Sequence, residues 1–586
     1  MCHHLRNPRT LGHLLLLCAL IPLIPLIQGQ GARGGTLAES LPAGALVYGE
    51  VSDLGKVLGP LQKSSFLSSL LTLPAYQDLQ ATGPYRKVDA VRRLLEIHLG
   101  YDLWTAAEKF MGGDLAVALY PRPNADQPDF LVVLRVPDAE DLAHLRDRID
   151  PILTLLDQQI TVTDHGDGME RMELGEGLVL AIGSDRLIVS NCHDRINDMV
   201  TMGVGAKSAS LAQDESFMRM EEALGTDHLA RLYLNTELLK SAGDGRLGLP
   251  EKMDNPLGSL LLGGILEQVA RSPYGGLTLD MDGEGFQLTA GVTADAQALG
   301  AGYACYFSHL ADTAARTPLR PDRTIGGISL FRNVTDWYGQ REALLQAQLL
   351  PGFDKFESGL ANLLPGRDFE QDILPTLGPR FSFVAALQDY SHLDGTPGVQ
   401  LPGFALVVEL ARPKEGAELL QLFFQTFSAV LNIEAGKQGR QPWILDLQTH
   451  RGVKITSARY LQKPSGTRLP MVFNFMPAAA RVGDQFVISS SVGLCRDLID
   501  YLQGATDAEP RGTNLALELD FAAVADSLDL NRDFFLARRI QEGRTPDQAQ
   551  QDVDLVLQVL RYVETLSLTT RGTDQTLQAS LKGTWQ

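Results

Sequence analysis

The chain repeats itself once, and this repeat limits the fold more than any other feature of its 586 residues. Five segments of the first half recur in the same order in the second half, displaced by roughly 265 to 300 residues. A period of this length exceeds the 20–50 residues of solenoid and propeller units, so it indicates a tandem copy of one domain-sized module. The matched segments are Ala45–Leu54 with Ile325–Val334, Phe130–Val136 with Phe404–Leu410, Asp185–Ser190 with Asp484–Ser489, Leu232–Leu239 with Leu515–Ala522, and Gly276–Val292 with Thr565–Leu581.

The repeated segments are mostly strand-like, because apolar and polar residues alternate along them. In Gly276–Val292 two such runs flank a polar turn, which predicts a hairpin. Helical stretches follow two of the strands, at Ala139–Leu156 and Arg195–Val200 in the first half. We therefore predict an α+β fold of two similar halves, each a curved antiparallel sheet with helices packed on one face. The predicted bounds are 36–300 for the first module, 301–322 for a helical, proline-containing connector and 323–586 for the second module.

Residues 1–35 have the pattern of an export signal. They carry arginine but no acidic residue, and an apolar run extends from Leu14 to Ile27. This run contains Pro22 and Pro25 and is shorter than the ~20 residues of a membrane-spanning helix. The pattern predicts a cleaved signal peptide and an extracytoplasmic protein, periplasmic or secreted, with no transmembrane span after the leader. An uncleaved N-terminal anchor is the alternative.

The charge of the chain argues against nucleic acid as a partner. Lys and Arg number 51 against 71 Asp and Glu, which gives a net charge of −20. Nucleic-acid binding depends on basic surface that displaces counterions from phosphates, and no Lys/Arg-rich block supplies it. The acidic excess is typical of a soluble, self-repelling surface.

The cysteines beyond the leader, Cys192, Cys305 and Cys495, are too few and too scattered for a disulfide framework. They do not form the paired Cys or Cys/His spacing of a zinc site. We expect buried thiols, and the sequence leaves open whether two of them form one disulfide.

Two short motifs resemble binding loops without meeting their requirements. Met202–Ser208 lacks the glycine that a phosphate loop places before its lysine, so a helix-ending turn is favoured. Asp280, Asp282 and Glu284 have the opening spacing of a calcium loop, but the carboxylate expected at position 12 falls on Gly291. This pattern favours a solvated hairpin turn.

The histidines form no metal or nucleophile motif. Neither HExxH nor GxSxG occurs. His165, near Asp164, and His193, beside Asp194, have acidic neighbours, but acid–base catalysis requires a positioned constellation, so we interpret them as surface residues. The sequence therefore predicts no catalytic, cofactor-binding or metal-binding residue and no cofactor.

The run Leu257–Val269 is apolar almost all round. A ligand lid and a membrane-touching helix are two readings of it. A buried core helix is favoured, because Gln551–Tyr562 precedes the final hairpin in the same way in the second half.

Two further segments carry a family resemblance. Leu41–Val51 opens with Leu-Pro-Ala and runs into a strand, and Asp372–Gly378 reads DILPTLG before the strand Phe381–Leu387. In these features the chain resembles a bacterial family of exported proteins of unknown function. The resemblance implies export and a duplicated α+β structure, and it supplies no catalytic residues.

Three functions are consistent with these patterns. The first is a non-catalytic extracytoplasmic protein that binds a partner or has a structural role at the cell envelope. The second is a hydrolase with a site in the cleft between the two halves, where duplicated folds often form clefts. The third is a carrier of lipids or other hydrophobic ligands, which requires an apolar cavity between sheet and helix.

Overall fold

The structure is a computed structural model that describes most of residues 36–585. The predicted signal peptide (1–35), most of the glycine-rich turn (203–208) and His165 lie outside the described residues. The other gaps are residue 54, residues 56–79, scattered positions between 81 and 98, and 123–126, 156–160, 165–167, 175–176, 243–248, 251, 283, 294–302, 309–312, 392, 440, 462–465 and 505–511.

The first of two compact units comprises residues up to Gly248 together with Ser272–Val292. Its strands are Val47–Val51 (β1), Leu115–Tyr120 (β2), Asp129–Arg135 (β3), Thr161–Asp164 (β4), Glu170–Leu174 (β5), Leu178–Ile182 (β6), Arg186–Ser190 (β7), Ala230–Asn235 (β8), Tyr274–Met281 (β9) and Gly285–Thr293 (β10). They pair antiparallel in the order β10-β9-β8-β1-β2-β3-β7-β6-β5-β4.

The second unit comprises Leu249–Arg271 and the chain from Thr293 onward. Its strands are Thr324–Phe331 (β11), Leu377–Ala386 (β12), Thr396–Pro397 (β13), Gly403–Leu410 (β14), Trp443–His450 (β15), Val453–Tyr460 (β16), Arg468–Leu469 (β17), Ala478–Val482 (β18), Gln485–Ser489 (β19), Thr513–Asp520 (β20), Val563–Gly572 (β21) and Thr576–Trp585 (β22). The main sheet is antiparallel in the order β22-β21-β20-β11-β12-β14-β19-β18-β16-β15. Strands β13 and β17 form a separate short parallel pair.

The two strand orders are the same, position by position. Each matched pair of sequence segments occupies the same place in its unit: β1 with β11, β3 with β14, β7 with β19, β8 with β20, and the hairpin β9–β10 with β21–β22. The prediction of an α+β fold with two similar antiparallel halves is therefore confirmed.

The α-helices complete the two units. Those of the first unit are Leu103–Met111 (α1), Ala139–Leu155 (α2), His193–Met202 (α3), Glu215–Leu224 (α4) and Thr236–Ala242 (α5). Those of the second unit are Pro256–Arg271 (α6), Val334–Gly339 (α7), Arg341–Leu344 (α8), Leu350–Leu363 (α9), Pro413–Lys437 (α10), Val492–Gly504 (α11), Phe521–Asp529 (α12), Arg532–Gln541 (α13) and Pro546–Tyr562 (α14). No helix in the described part of the chain has the length and apolar character needed to cross a bilayer.

Helices cover both faces of each sheet, where the sequence predicted one face. In the second unit Val487 packs with Leu498 of α11, while the adjacent Phe486 packs with Phe424 of α10. Successive residues of a strand point to opposite faces, so these two helices lie on opposite sides of the sheet. The physical reason is that the central strands carry consecutive apolar residues, as in FVI of β19, and both of their faces must be covered.

Helix α6 contains the apolar run that the sequence favoured as a buried core helix. It packs within the second unit, although the predicted bounds placed it in the first module. Gly263 and Gly264 allow this contact, since a Cβ on Gly264 would lie 2.6 Å from Cβ of Tyr306. One face of the helix is buried there, at Ser259 and Gln268 among others, while Leu257 remains exposed.

Candidate functional site

A pocket lies in the second unit beneath α10 and on the face of the sheet that this helix covers. The helix is held there by Phe424, which packs with Leu410, Ala479 and Phe486 of the sheet. From Phe423 to Leu431 the inner side of the helix lines a cavity of about 440 Å³. That volume is within the usual range for small-molecule sites.

The wall of the pocket comes from separate segments that the fold brings together. Helix α10 contributes residues one and two turns apart on one face, and strands β15, β16 and β19 together with the connection before β18 contribute the opposite wall. Its larger side chains are Phe423, Phe427, Leu431, Trp443, Tyr460, Phe475 and Ile488.

The lining is chemically uniform. None of the described residues that line the pocket carries a charge. Its hydroxyl groups are engaged by the protein: Ser428 donates to the Phe424 carbonyl at 2.8 Å, Tyr460 donates to the Val472 carbonyl at 3.3 Å, and Ser490 accepts from the Phe404 amide at 2.8 Å. Such a site favours an apolar ligand and offers little to hold an ionic one.

Polar and aromatic contacts fix the pocket's outer edge. The Asn432 side chain accepts from the Trp443 amide at 2.7 Å and donates to the Trp443 carbonyl at 2.8 Å. The indole of Trp443 then meets the ring of Tyr460 edge to face, with centroids 6.1 Å apart. The start of β15 is therefore tied to α10, which preorganises this side of the pocket.

The carboxylates of the calcium-like motif do not converge. Asp282 accepts backbone N–H groups from Glu284 and Gly285 at 2.9 and 2.8 Å, as expected of the hairpin turn. Asp280 lies on β9 and contacts His228 instead, with 2.6 Å between Oδ2 and Nδ1. Among the described residues, no group of three or more His, Cys, Asp or Glu is placed to hold a metal ion.

The other sequence candidates do not meet in a site within the described residues. His193 lies 3.3 Å from Glu173, and both side chains are largely exposed. The three cysteines are free thiols. Burial raises the pKa of Cys305 to about 12 and that of Cys495 to about 12, so neither is a thiolate nucleophile at neutral pH.

His228 is a feature that motif reading missed, because its partner Asp280 lies 52 residues along the chain. Its second ring nitrogen lies 2.8 Å from the carbonyl of Leu224, at the C-terminal end of α4. The hydrogen bond to Asp280, supported by that carbonyl, raises the pKa of His228 against the opposing effect of burial. Both nitrogens face acceptors, which is the environment of a protonated imidazole.

The first unit is therefore expected to lose stability as the pH rises. A histidine has a pKa of about 6.5 when unfolded. Because the folded pKa is raised, the stabilisation is complete below that value and is lost as the pH passes the folded pKa. Denaturation of wild type and His228→Gln between about pH 6 and pH 8, followed at Trp104, measures this, and the variant should have the flatter profile. Asp280→Asn should flatten it equally, whereas parallel profiles for wild type and His228→Gln would contradict the assignment.

Comparisons with known proteins add little to this site. No protein-family model and no curated protein match the chain. Crystal form III of TP0453 is 13% identical, covers 47% of this chain and 85% of its own, and has a TM-score of 0.25. Crystal form I of TP0453 is 13% identical, covers 46% and 83%, and has a TM-score of 0.23. Scores this low support no transfer of fold or function.

Proposed function

We propose that the protein is a non-catalytic, extracytoplasmic binding protein that holds an apolar ligand, such as a lipid acyl chain, in the pocket beneath α10. The observation that carries the proposal is a cavity of about 440 Å³ walled by aromatic and aliphatic side chains, with its hydroxyl groups already engaged. Burial of apolar surface supplies about 0.8 kcal/mol per CH₂ group, so one chain provides ample binding energy. This proposal joins the binding and carrier functions predicted from the sequence.

A bulky residue in the pocket is expected to weaken binding. Leu431 lines the pocket, so Leu431→Trp fills space that the ligand needs. We expect the dissociation constant of a fluorescent fatty-acid probe to rise at least about tenfold, equivalent to about 1.4 kcal/mol. Ala429→Trp is the matched control, because Ala429 lies on the exposed side of the same helix.

The same measurement can contradict the proposal. Probe binding that Leu431→Trp leaves unchanged would place the ligand elsewhere. A wild-type chain that binds no probe, and from which mass spectrometry extracts no lipid, would remove the carrier function altogether. The hydrolase alternative stays a prediction, and turnover of esters, glycosides or peptides by the purified chain would favour it.

A further inference from the structure

The helix above the pocket is apolar on its outer side as well as its inner side. From Leu419 to Ile433 it contains no charged residue, and Glu418 and Glu434 bound this stretch. Ile433 is 63% exposed, and Leu422 and Val430 are also exposed. A surface helix normally has a polar outer face, so these residues indicate that something apolar covers α10.

The sheet on either side of α10 is apolar and exposed too. On β15, Leu445 and Leu447 follow Trp443 at intervals of two residues and therefore share its face, and Leu447 is 77% exposed. On the other side, Leu406 pairs directly with Ile488 of the pocket wall, and Phe383 pairs with Leu406. Directly paired residues of an antiparallel sheet lie on one face.

We call the exposed residues that border the pocket the apolar collar. It consists of Leu422, Val430 and Ile433 on α10, Leu445 and Leu447 on β15, and Phe383, Phe404 and Leu406 on β12 and β14. The rings of Phe383 and Phe404 are stacked, with centroids 6.3 Å apart, so this part of the collar is an aromatic surface.

The charge of the chain distinguishes between an anionic and a zwitterionic lipid surface as the partner of the collar. Lys437, on α10, lies 3.3 Å from Glu434, and the exposed Lys454 shares the face of Leu447 on the adjacent strand, whereas Arg459 and Asp446 pair on the opposite face of the sheet. With the chain at a net charge of −20, an anionic surface is repelled and not attracted. A zwitterionic lipid surface offers apolar contact without that repulsion.

We propose that the apolar collar docks on the surface of an electrically neutral, zwitterionic bilayer, from which the pocket takes its ligand or to which it delivers it. This inference rests on the proposed function, because an apolar ligand must reach the pocket without crossing water. The charge-free stretch of α10, Leu419–Ile433, is shorter than the ~20 apolar residues that span a bilayer, so the helix lies in the interfacial plane with its apolar face in the headgroup region.

Vesicle flotation tests the proposal directly. The chain that begins at Thr36 retains every described contact and lacks the apolar leader. We expect it to bind phosphatidylcholine vesicles, more weakly when phosphatidylglycerol is added, and with little dependence on salt. Ile433→Glu and Leu447→Glu should each lower the partition coefficient at least about tenfold, since each places a charge on a side chain that docking would bury in the bilayer. Ile540→Glu on α13 is the matched control and should bind as wild type does.

The outcomes separate this inference from the proposed function. Ile433→Glu should bind the fatty-acid probe normally without vesicles, whereas Leu431→Trp should lose the probe and keep the vesicles. Probe binding without vesicle binding would overturn the docking proposal alone. So would binding that requires anionic lipid, or a vesicle-free dimer in sedimentation that Ile433→Glu dissociates, because the collar would then serve an anionic membrane or a second copy.

Discussion

Arg332→Ala is expected to destabilise the second unit by roughly 3–5 kcal/mol, more than most single substitutions. The guanidinium is almost fully buried and donates to the carbonyls of Leu260 and Leu261 on α6, at 2.7 and 2.6 Å from Nε and Nη2. Nη1 donates to Phe331 at 2.6 Å and to Tyr306 at 3.2 Å. Burial lowers the pKa of Arg332 to about 10, which keeps it charged at neutral pH.

The size of this effect follows from what the substitution removes. A hydrogen bond from a charged donor contributes about 1.5–3 kcal/mol, but the two helix carbonyls also belong to the α6 ladder, so the sum is less than four full bonds. The loss leaves a cavity beside Tyr306, whose ring the guanidinium approaches to 5.3 Å. Helix α6 should loosen first.

Denaturation followed by Trp337 fluorescence measures the change, because its indole donates to Ser259 of α6 at 3.3 Å. Arg332→Lys keeps the charge but not the branched donor, so an intermediate loss is expected. Arg323→Ala, which removes a partly exposed arginine, is the control and should change stability by less than about 1 kcal/mol. An Arg332→Ala chain as stable as wild type would show that α6 does not depend on this residue.

The packing of α6 shows which part of the fold could not be predicted from the sequence. Strand and helix positions follow local periodicity, and the five matched segments all fall on equivalent strands. The place where α6 packs depends on the fit of Gly263 and Gly264 to Tyr306, some forty residues away in the chain. Hydrophobic pattern identifies the helix but not its neighbour.

The candidate site was less accessible to sequence reasoning than the fold. Its wall combines α10 with β15, β16, β19 and the segment before β18, and an apolar residue in any one of them is consistent with an ordinary core. The sequence did contain one signal of the site. A helix with one buried face carries charged residues on its other face, but Leu419–Ile433 has no charged residue over its whole length. The calcium-like motif was conspicuous in the sequence, but its residues have structural roles. Asp282 caps the hairpin turn, and Asp280 forms an ion pair with His228.

Glu50→Ala is expected to destabilise the first unit by roughly 3–5 kcal/mol, because it removes one of the two carboxylates beside the buried Arg231, the other being Glu221, and leaves the donors that bind Glu50 unsatisfied. The two residues are direct partners on β1 and β8, 3.2 Å apart from Oε2 to Nε, and both side chains are almost fully buried. The Glu50 carboxylate also accepts from Thr36 Oγ1 at 2.8 Å, from the Leu37 amide at 2.9 Å and from the Tyr48 hydroxyl at 2.9 Å. Its loss should therefore release the segment that begins at Thr36.

The duplicated unit supplies the rationale for a compensating variant. In the second unit the equivalent pairing of β11 with β20, which ends at Leu330 with Leu515, contains no pair of opposite charges. The same strand pairing thus forms without buried charges, and a buried pair replaced by apolar residues of similar volume is often neutral in stability. Because Glu221 lies 2.7 Å from Arg231, it has to be replaced as well. Glu50→Leu combined with Arg231→Met and Glu221→Gln should recover most of the stability that Glu50→Ala loses.

Trp104 lies in the first unit and the other three tryptophans lie in the second, so a chain that keeps Trp104 alone reports this unfolding separately. Separate probes are needed because a two-unit chain does not unfold in a single step. Amide exchange at Leu37 measures the release of the N-terminal segment and should accelerate in Glu50→Ala. If the triple variant is as unstable as Glu50→Ala, the hydrogen bonds to Thr36, Leu37 and Tyr48, and not the charge of Arg231, account for the stability that Glu50 provides.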